Sequence, residues 1–304
     1  MPPTPPPRRG TFSRRVAPFA PLALPLLMGS VGNSSHQRAS PAANLSPTLS
    51  SLGLGQFDPG CSLPIIGAEH HPIDDGCPID GDHPKDAKER ARSRAKNNFC
   101  AAGQGVPITQ DILKALEGKS GPARKGDFSD RAILLGGVLS MGGLTYGEGM
   151  KVQYVGFVMD AHYSNATKSK GKAGEVVNCH QPGGEMNDIH IPLGASPSDD
   201  PCNSITVEMS PHGRPANWTP EHLNALGSHP IRVTGQLFFD DAHHACTEQQ
   251  RQSPPRASVW EVHPVYAVDV CKGTSLRECA ADSATNWTSL DNWLGVESEE
   301  ASNP

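Results

Sequence analysis

The stretch Thr219-Pro-Glu-His-Leu-Asn-Ala-Leu-Gly227, followed three residues on by Ile231-Arg-Val-Thr-Gly-Gln-Leu-Phe-Phe239, decides the fold. Its first half reads as one short helix. Thr219 is an N-cap, Pro220 suits the first helical position, Leu223 and Leu226 share a face, and Gly227 ends the run. Its second half changes period. Ile231, Val233, Leu237 and Phe239 have the same parity, as residues on one face of a strand must. Gly235 breaks that series and marks a bulge or a close backbone approach.

The same period of two continues on both sides. Met150, Val152 and Tyr154 alternate with polar residues, and Val155, Phe157 and Met159 take the other parity. Ile189, Ile191 and Leu193 alternate with His190, and Asp188 stands just before them. Ile205, Val207 and Met209 alternate with Thr206 and Glu208. Val259 to Val270 is a further long strand, interrupted at Pro264. Three or four strands, a helix and two final strands predict a mainly β chain. The expected module is an OB-fold-like antiparallel barrel over residues 145–275, with one short helix between its third and fourth strands. The run at 204–209 stands as an addition to that pattern. An immunoglobulin-like sandwich is the rival and gives no reason for the helix.

Several segments of this module carry a resemblance. They are Asn178-Cys-His, Asn187-Asp-Ile-His-Ile, Val207-Glu-Met-Ser-Pro, Arg232-Val-Thr-Gly-Gln-Leu-Phe-Phe-Asp-Asp-Ala-His and Trp260-Glu-Val-His-Pro-Val. Together they resemble a group of uncharacterised bacterial, exported proteins that share D-x-H, V-x-G-x-L-x-x-D-x-x-H and W-E-x-H-P segments. The resemblance covers roughly residues 150–271. It implies a common module and an OB-like fold, and implies no reaction.

Outside the module the chain divides further. Residues 1–57 hold no Asp or Glu, and Arg8, Arg9, Arg14 and Arg15 precede the apolar run Val16 to Met28. Basic then apolar is the order of a signal peptide, expected over 1–29 with the mature chain beginning after Gly29. A transit peptide shares the composition. The run is too short and too proline-rich to cross a membrane. Residues 30–57 read as a linker rich in Ser, Pro and Asn. Residues 58–126 form a small Cys-containing loop and helix segment, with helices expected at 85–98 and 109–116. Asp80, Asp82 and Asp86 do not match the EF-hand spacing. Residues 276–304 read as an acidic tail.

There are eight cysteines and no C-x-x-C pair. An even count after an export-like start predicts disulfides, at least two, with connectivity open. Cys61, Cys77 and Cys100 are near enough in sequence to staple one segment. The net charge of −6 gives no argument for nucleic acid. Nucleophile-elbow, phosphate-loop and H-E-x-x-H signatures are missing from the sequence.

The chemistry-bearing residues fall on the polar parity of the strands. Asp188 and His190 lie two apart, as do Glu261 and His263, so each pair shares a face. Glu208 is on the polar side of its own strand. Asp240 and His243 follow the end of another. Seven residues thus form the candidate site: Asp188, His190, Glu208, Asp240, His243, Glu261 and His263. His190 and His263 should meet with a carboxylate from Glu208, Glu261 or Asp240 between them. His190, His263 and Glu261 are the candidate ligands for a divalent metal. Cross-strand Asp–His and Glu–His pairs that only stabilise the sheet are the alternative. With the polar face taken as exposed, His263→Ala should leave the fold intact. Trp260, of opposite parity, belongs to the core. Arg214 suits a turn, or an anion. The expected function is an exported binding module for a small ligand, glycan or protein. The rival is a metal-dependent hydrolase, phosphodiesterase- or nuclease-like, built on the same cluster.

Overall fold

In the computed structural model, Thr219 caps a helix as the sequence requires, its hydroxyl accepting from the His222 amide at 3.2 Å. The structure describes residues 56–82, 85–120, 131–164 and 174–301. The expected signal peptide and all of the expected linker but Gln56 and Phe57 lie outside them. The helices are α1 (Pro72–Gly76), α2 (Ala87–Lys96), α3 (Gln110–Lys119), α4 (Pro220–Ala225) and α5 (Leu290–Ala301). The strands before residue 180 are β1 (Val106–Pro107), β2 (Leu139–Met141), β3 (Leu144–Tyr146), β4 (Lys151–Val158) and β5 (His162–Tyr163). Those after it are β6 (Ile189–Gly194), β7 (Ile205–Met209), β8 (Ile231–Phe239), β9 (Trp260–Cys271) and β10 (Trp287–Ser289).

Five strands close a barrel. Strand β4 pairs with β8, β8 with β9, β9 with β7, β7 with β6, and β6 returns to β4 through Phe157↔Gly194 and Val158↔Leu193. The chain is therefore mainly β, and α4 stands between the third and fourth barrel strands. Three details differ from the sequence reading. The pair β7–β9 is parallel, through Val207↔Val262, in an otherwise antiparallel barrel. Strand β7 is one of the five staves and not an addition. The two runs at 150–159 are one strand, β4.

The apolar parity points inward. Val152, Ile191, Val207, Val233, Leu237 and Val262 have no measurable exposure. Gly235 sits where β8 and β9 slip register. A Cβ there would lie 2.5 Å from both the Pro264 carbonyl oxygen and Val262 Cγ1, so this glycine marks both the irregularity in register and a close approach.

The segments around the barrel cover it rather than hang from it. Strand β1 extends the sheet in parallel beside β4. Leu113 and Leu116 of α3 are fully buried, and Glu117 accepts from the Val259 amide at 2.9 Å. The expected acidic tail supplies β10, which pairs with β9, and buries Leu290. Phe57, expected in the linker, is buried and stacks on His212 with 3.7 Å between ring centres.

All eight cysteines are paired, as Cys61–Cys100, Cys77–Cys179, Cys202–Cys246 and Cys271–Cys279. The local-staple expectation holds for Cys61 and Cys100 only. Cys77 reaches across to the loop before β6. No helix among the described residues is long and apolar enough to cross a membrane.

Candidate functional site

Strand register brings the site together. His162 faces His190 across β5–β6, and His190 faces Glu208 across β6–β7. Because Val207 is paired with Val262 in parallel, the next residues, Glu208 and His263, are neighbours too. His162, His190, Glu208 and His263 thus form one row across four strands on the outside of the barrel.

Glu208 is the centre of that row. Its Oε1 lies 3.2 Å from His190 Nε2, and its Oε2 lies 2.7 Å from His263 Nδ1. Of the three carboxylates offered by the sequence, Glu208 is the one between the imidazoles. Glu261 approaches the same nitrogen of His263 from farther off, with Oε1 3.6 Å from Nδ1. Its Oε2 accepts from Arg256 at 3.1 Å. Asp240 and His243 form a second pair, 2.5 Å apart, and Arg256 links Asp240, at 3.0 Å, to Glu261.

The expectation that this face is exposed is overturned. Glu208 is 2% exposed, while Glu261 and His263 have no exposure at all. The reason is a roof. Helix α2 and the loop before β6 lie over the sheet. Gln236 Nε2 of β8 donates both to the Ala95 carbonyl of α2, at 2.7 Å, and to the His263 carbonyl, at 2.8 Å. His263→Ala therefore removes a buried cation from between two carboxylates, which should cost roughly 3–5 kcal/mol instead of leaving the fold untouched.

The roof also brings residues that the sequence reading missed. Lys96, at the end of α2, lies 2.9 Å from Glu175 Oε2 and 3.4 Å from Glu208 Oε2. Glu175, in the loop before β6, lies 3.7 Å from His190 Nε2 and accepts from Ser164 Oγ at 3.2 Å. Neither belongs to a strand, so parity arguments could not find them. Lys96 was hidden in a helix whose basic residues go all round. The one local signal for Glu175 is its place just before Val176-Val177, an apolar pair in a stretch of Gly and Lys.

Asp188 is the anomaly. Its side chain is 1% exposed, and among the described residues neither carboxylate oxygen has a hydrogen-bond partner. Buried carboxylates normally accept several hydrogen bonds, because desolvating them without compensation is expensive. Yet Asp188, Glu175 and His190 offer donor atoms all within 4.8 Å of one another, and so do Asp188, Glu208 and His263. Glu261 Oε1 and His263 Nε2 are likewise buried without a hydrogen-bond partner.

Burial and charge set the protonation of this cluster. Burial alone would lower both imidazoles. For His190 the carboxylates of Glu208 and Glu175 outweigh it and hold the pKa at about 9. For His263 burial is outweighed by Glu208, and the pKa rises to about 10. Burial would raise Glu208, but His190, Lys96 and His263 hold it well below the usual carboxylate range. Lys96 and His190 do the same for Glu175 against its own burial. Asp188 and Glu261 move the other way. Burial raises both, and nearby carboxylates add to it. At neutral pH the two glutamates Glu175 and Glu208 thus face three cations, His190, His263 and Lys96.

Two clefts reach the cluster. One, of about 370 Å³, is walled by Pro192, Thr206 and Arg256 and exposes the edges of His162 and His190. The other, of about 320 Å³, ends on Lys96, Glu175, Asp240 and His243. In the first, Asp160 lies 2.9 Å from His162 Nδ1, and the His162 ring centre is 5.8 Å from that of His190. Arg214 is no surface anion site. It is buried, and its guanidinium donates to the carbonyls of Asn187, Gly184 and Glu185, bracing the chain just before Asp188. The chain matches no family model, no curated protein and no solved structure among those compared.

Proposed function

We propose that this chain is an exported, OB-type β-barrel module that binds a divalent metal ion on its outer sheet face and holds a small ligand against it in the adjoining cleft. The observation that carries the reading is Asp188, a buried carboxylate with both oxygens unpartnered, set among two histidines and two further carboxylates. A cation supplies what the protein withholds from it. Mixed nitrogen and oxygen donors suit zinc, manganese or another first-row divalent ion.

The order of the barrel strands, with β7 beside β9 and α4 before β8, supports the OB assignment. In such folds ligands lie on the face of the second and third strands, framed by the loops between strands one and two and between strands four and five. Here those strands are β6 and β7, which carry His190 and Glu208. The first of those loops carries Glu175 and the last carries Asp240 and Arg256. Four disulfides without a free thiol fit an oxidising compartment and support export.

The test is metal uptake. EDTA-stripped protein dialysed against Zn²⁺ or Mn²⁺ should retain metal after desalting, and Asp188→Asn should retain at least tenfold less. Wild-type protein that takes up none rejects the reading.

Hydrolysis is the second reading, favoured by the Asp160–His162 pair on the cleft wall beside His190. An imidazole oriented by a carboxylate next to a metal-bound water has the parts of a general base. On this reading the metal-loaded protein hydrolyses a simple phosphodiester such as bis(p-nitrophenyl) phosphate. His162→Ala should reduce that turnover by about 10²-fold or more with metal content unchanged. Equal turnover in the variant removes His162 from the reaction.

A further inference from the structure

The cluster offers donors for more than one ion, and the inference drawn from this rests on the metal-binding reading above. Glu175, Asp188 and His190 make one group of mutually close donor atoms; Asp188, Glu208 and His263 make a second. Asp188 belongs to both. Glu208 also reaches both, with one oxygen facing His190 and the other facing His263. An ion bound by both imidazoles at once would have to displace Glu208 from between them.

We propose that the outer face of the barrel holds two divalent metal ions side by side, bridged by the carboxylates of Asp188 and Glu208. Glu175 and His190 complete the position at the cleft. His263 and Glu261, whose Oε1 is buried and unpartnered 3.6 Å from His263 Nδ1, complete the inner one.

Geometry favours the pair. Lys96 already faces Glu175 and Glu208, and Arg256 reaches Glu261, so the placement of donor atoms and not the charge sum decides the number of ions. Paired ions in hydrolytic and phosphoryl-transfer sites sit about 3.5–4 Å apart, a span that a carboxylate bridges with one oxygen on each. The bridging carboxylates need both oxygens available. Those of Asp188 have no other partner, and those of Glu208 already point in opposite directions along the row. The inner position is closed off by α2, while the cleft-side position is reached past His190, so the two ions have unequal access. Ligand or water would meet the outer one.

The experiment counts metal on the full chain. EDTA-treated protein is loaded with Mn²⁺, desalted and assayed for manganese per chain by mass spectrometry, with electron paramagnetic resonance to detect coupling between neighbouring ions. The expected result is two ions per chain with a coupled spectrum. Glu175→Gln and Glu261→Gln, each checked by circular dichroism, should each fall to one, with an uncoupled signal. Saturation of wild-type protein at one ion overturns the pair and leaves the metal reading standing. Saturation at none overturns both. Two or more uncoupled ions that neither variant reduces would be adventitious surface binding, and that too overturns the proposal. The wild-type count decides even where a variant does not fold.

Discussion

Asp240 shows at the scale of one residue how this protein places charge. It is 3% exposed, yet its pKa lies at about 2. Burial would raise it; the hydrogen bond from His243 and the charges of Lys96 and Arg256 outweigh that and bring it down. The folded value is below the ordinary 3.8, so the pair contributes stability above about pH 4, and that contribution is lost as pH falls through about 2. The difference corresponds to about 2 kcal/mol. Asp240→Asn should therefore be less stable than wild type at pH 7 by about that amount. The gap between the two proteins should close between pH 4 and pH 2. Chemical denaturation at a series of pH values measures it, and a gap independent of pH would show that the charge of Asp240 contributes nothing. At this scale the sequence was a good guide wherever a residue lies on a strand. Asp188, His190, Glu208, Glu261 and His263 converge because parity and register leave them no other face. It failed for Glu175 and Lys96, which come from a loop and from the end of a helix. Their approach depends on tertiary packing, and no local period encodes that.

Strand β8 is the element on which the barrel turns. It pairs with β4 on one side and β9 on the other, and Gly235 lets β9 pass at a distance no side chain tolerates. Gly235→Ala would press a methyl group into the Pro264 carbonyl. It should cost about 1–3 kcal/mol, at the upper end because one contact is backbone. An unchanged midpoint in urea would mean that β9 can retreat freely. The five barrel strands and helix α4 were legible in advance, the strands from a period of two that survives Gly235 and Pro264, the helix from its cap. The parallel pairing of β7 with β9 was not, since alternation fixes which face a strand shows and says nothing of its neighbour. The same gap explains the mistaken exposure of the polar face. A polar parity looks identical in sequence whether water or another polar layer lies against it.

At the scale of all the described residues, one apolar core fills the barrel and extends under α3 and Phe57, and a charged layer lies between the barrel and its roof. Disulfides tie the roof down, Cys77–Cys179 joining α1 to the loop that carries Glu175. The residues they link lie 102 apart there, against 8 apart for Cys271–Cys279. By the chain-entropy estimate the long loop is worth about 4–5 kcal/mol and the short one about 2–3. Replacing both cysteines of the first pair by serine should lower the thermal midpoint more than the same change in the second. The reverse order would show that the roof is held by its ion pairs alone.

The Cys77–Cys179 bond has a topological consequence as well. Together with Cys61–Cys100 it makes the chain from Cys61 to Cys179 a closed covalent circuit. A single cut of the backbone anywhere inside that circuit opens a ring without releasing a fragment. A molecule nicked there by a protease still migrates as one piece until it is reduced, and it keeps both Lys96 and Glu175 attached to the strands they serve.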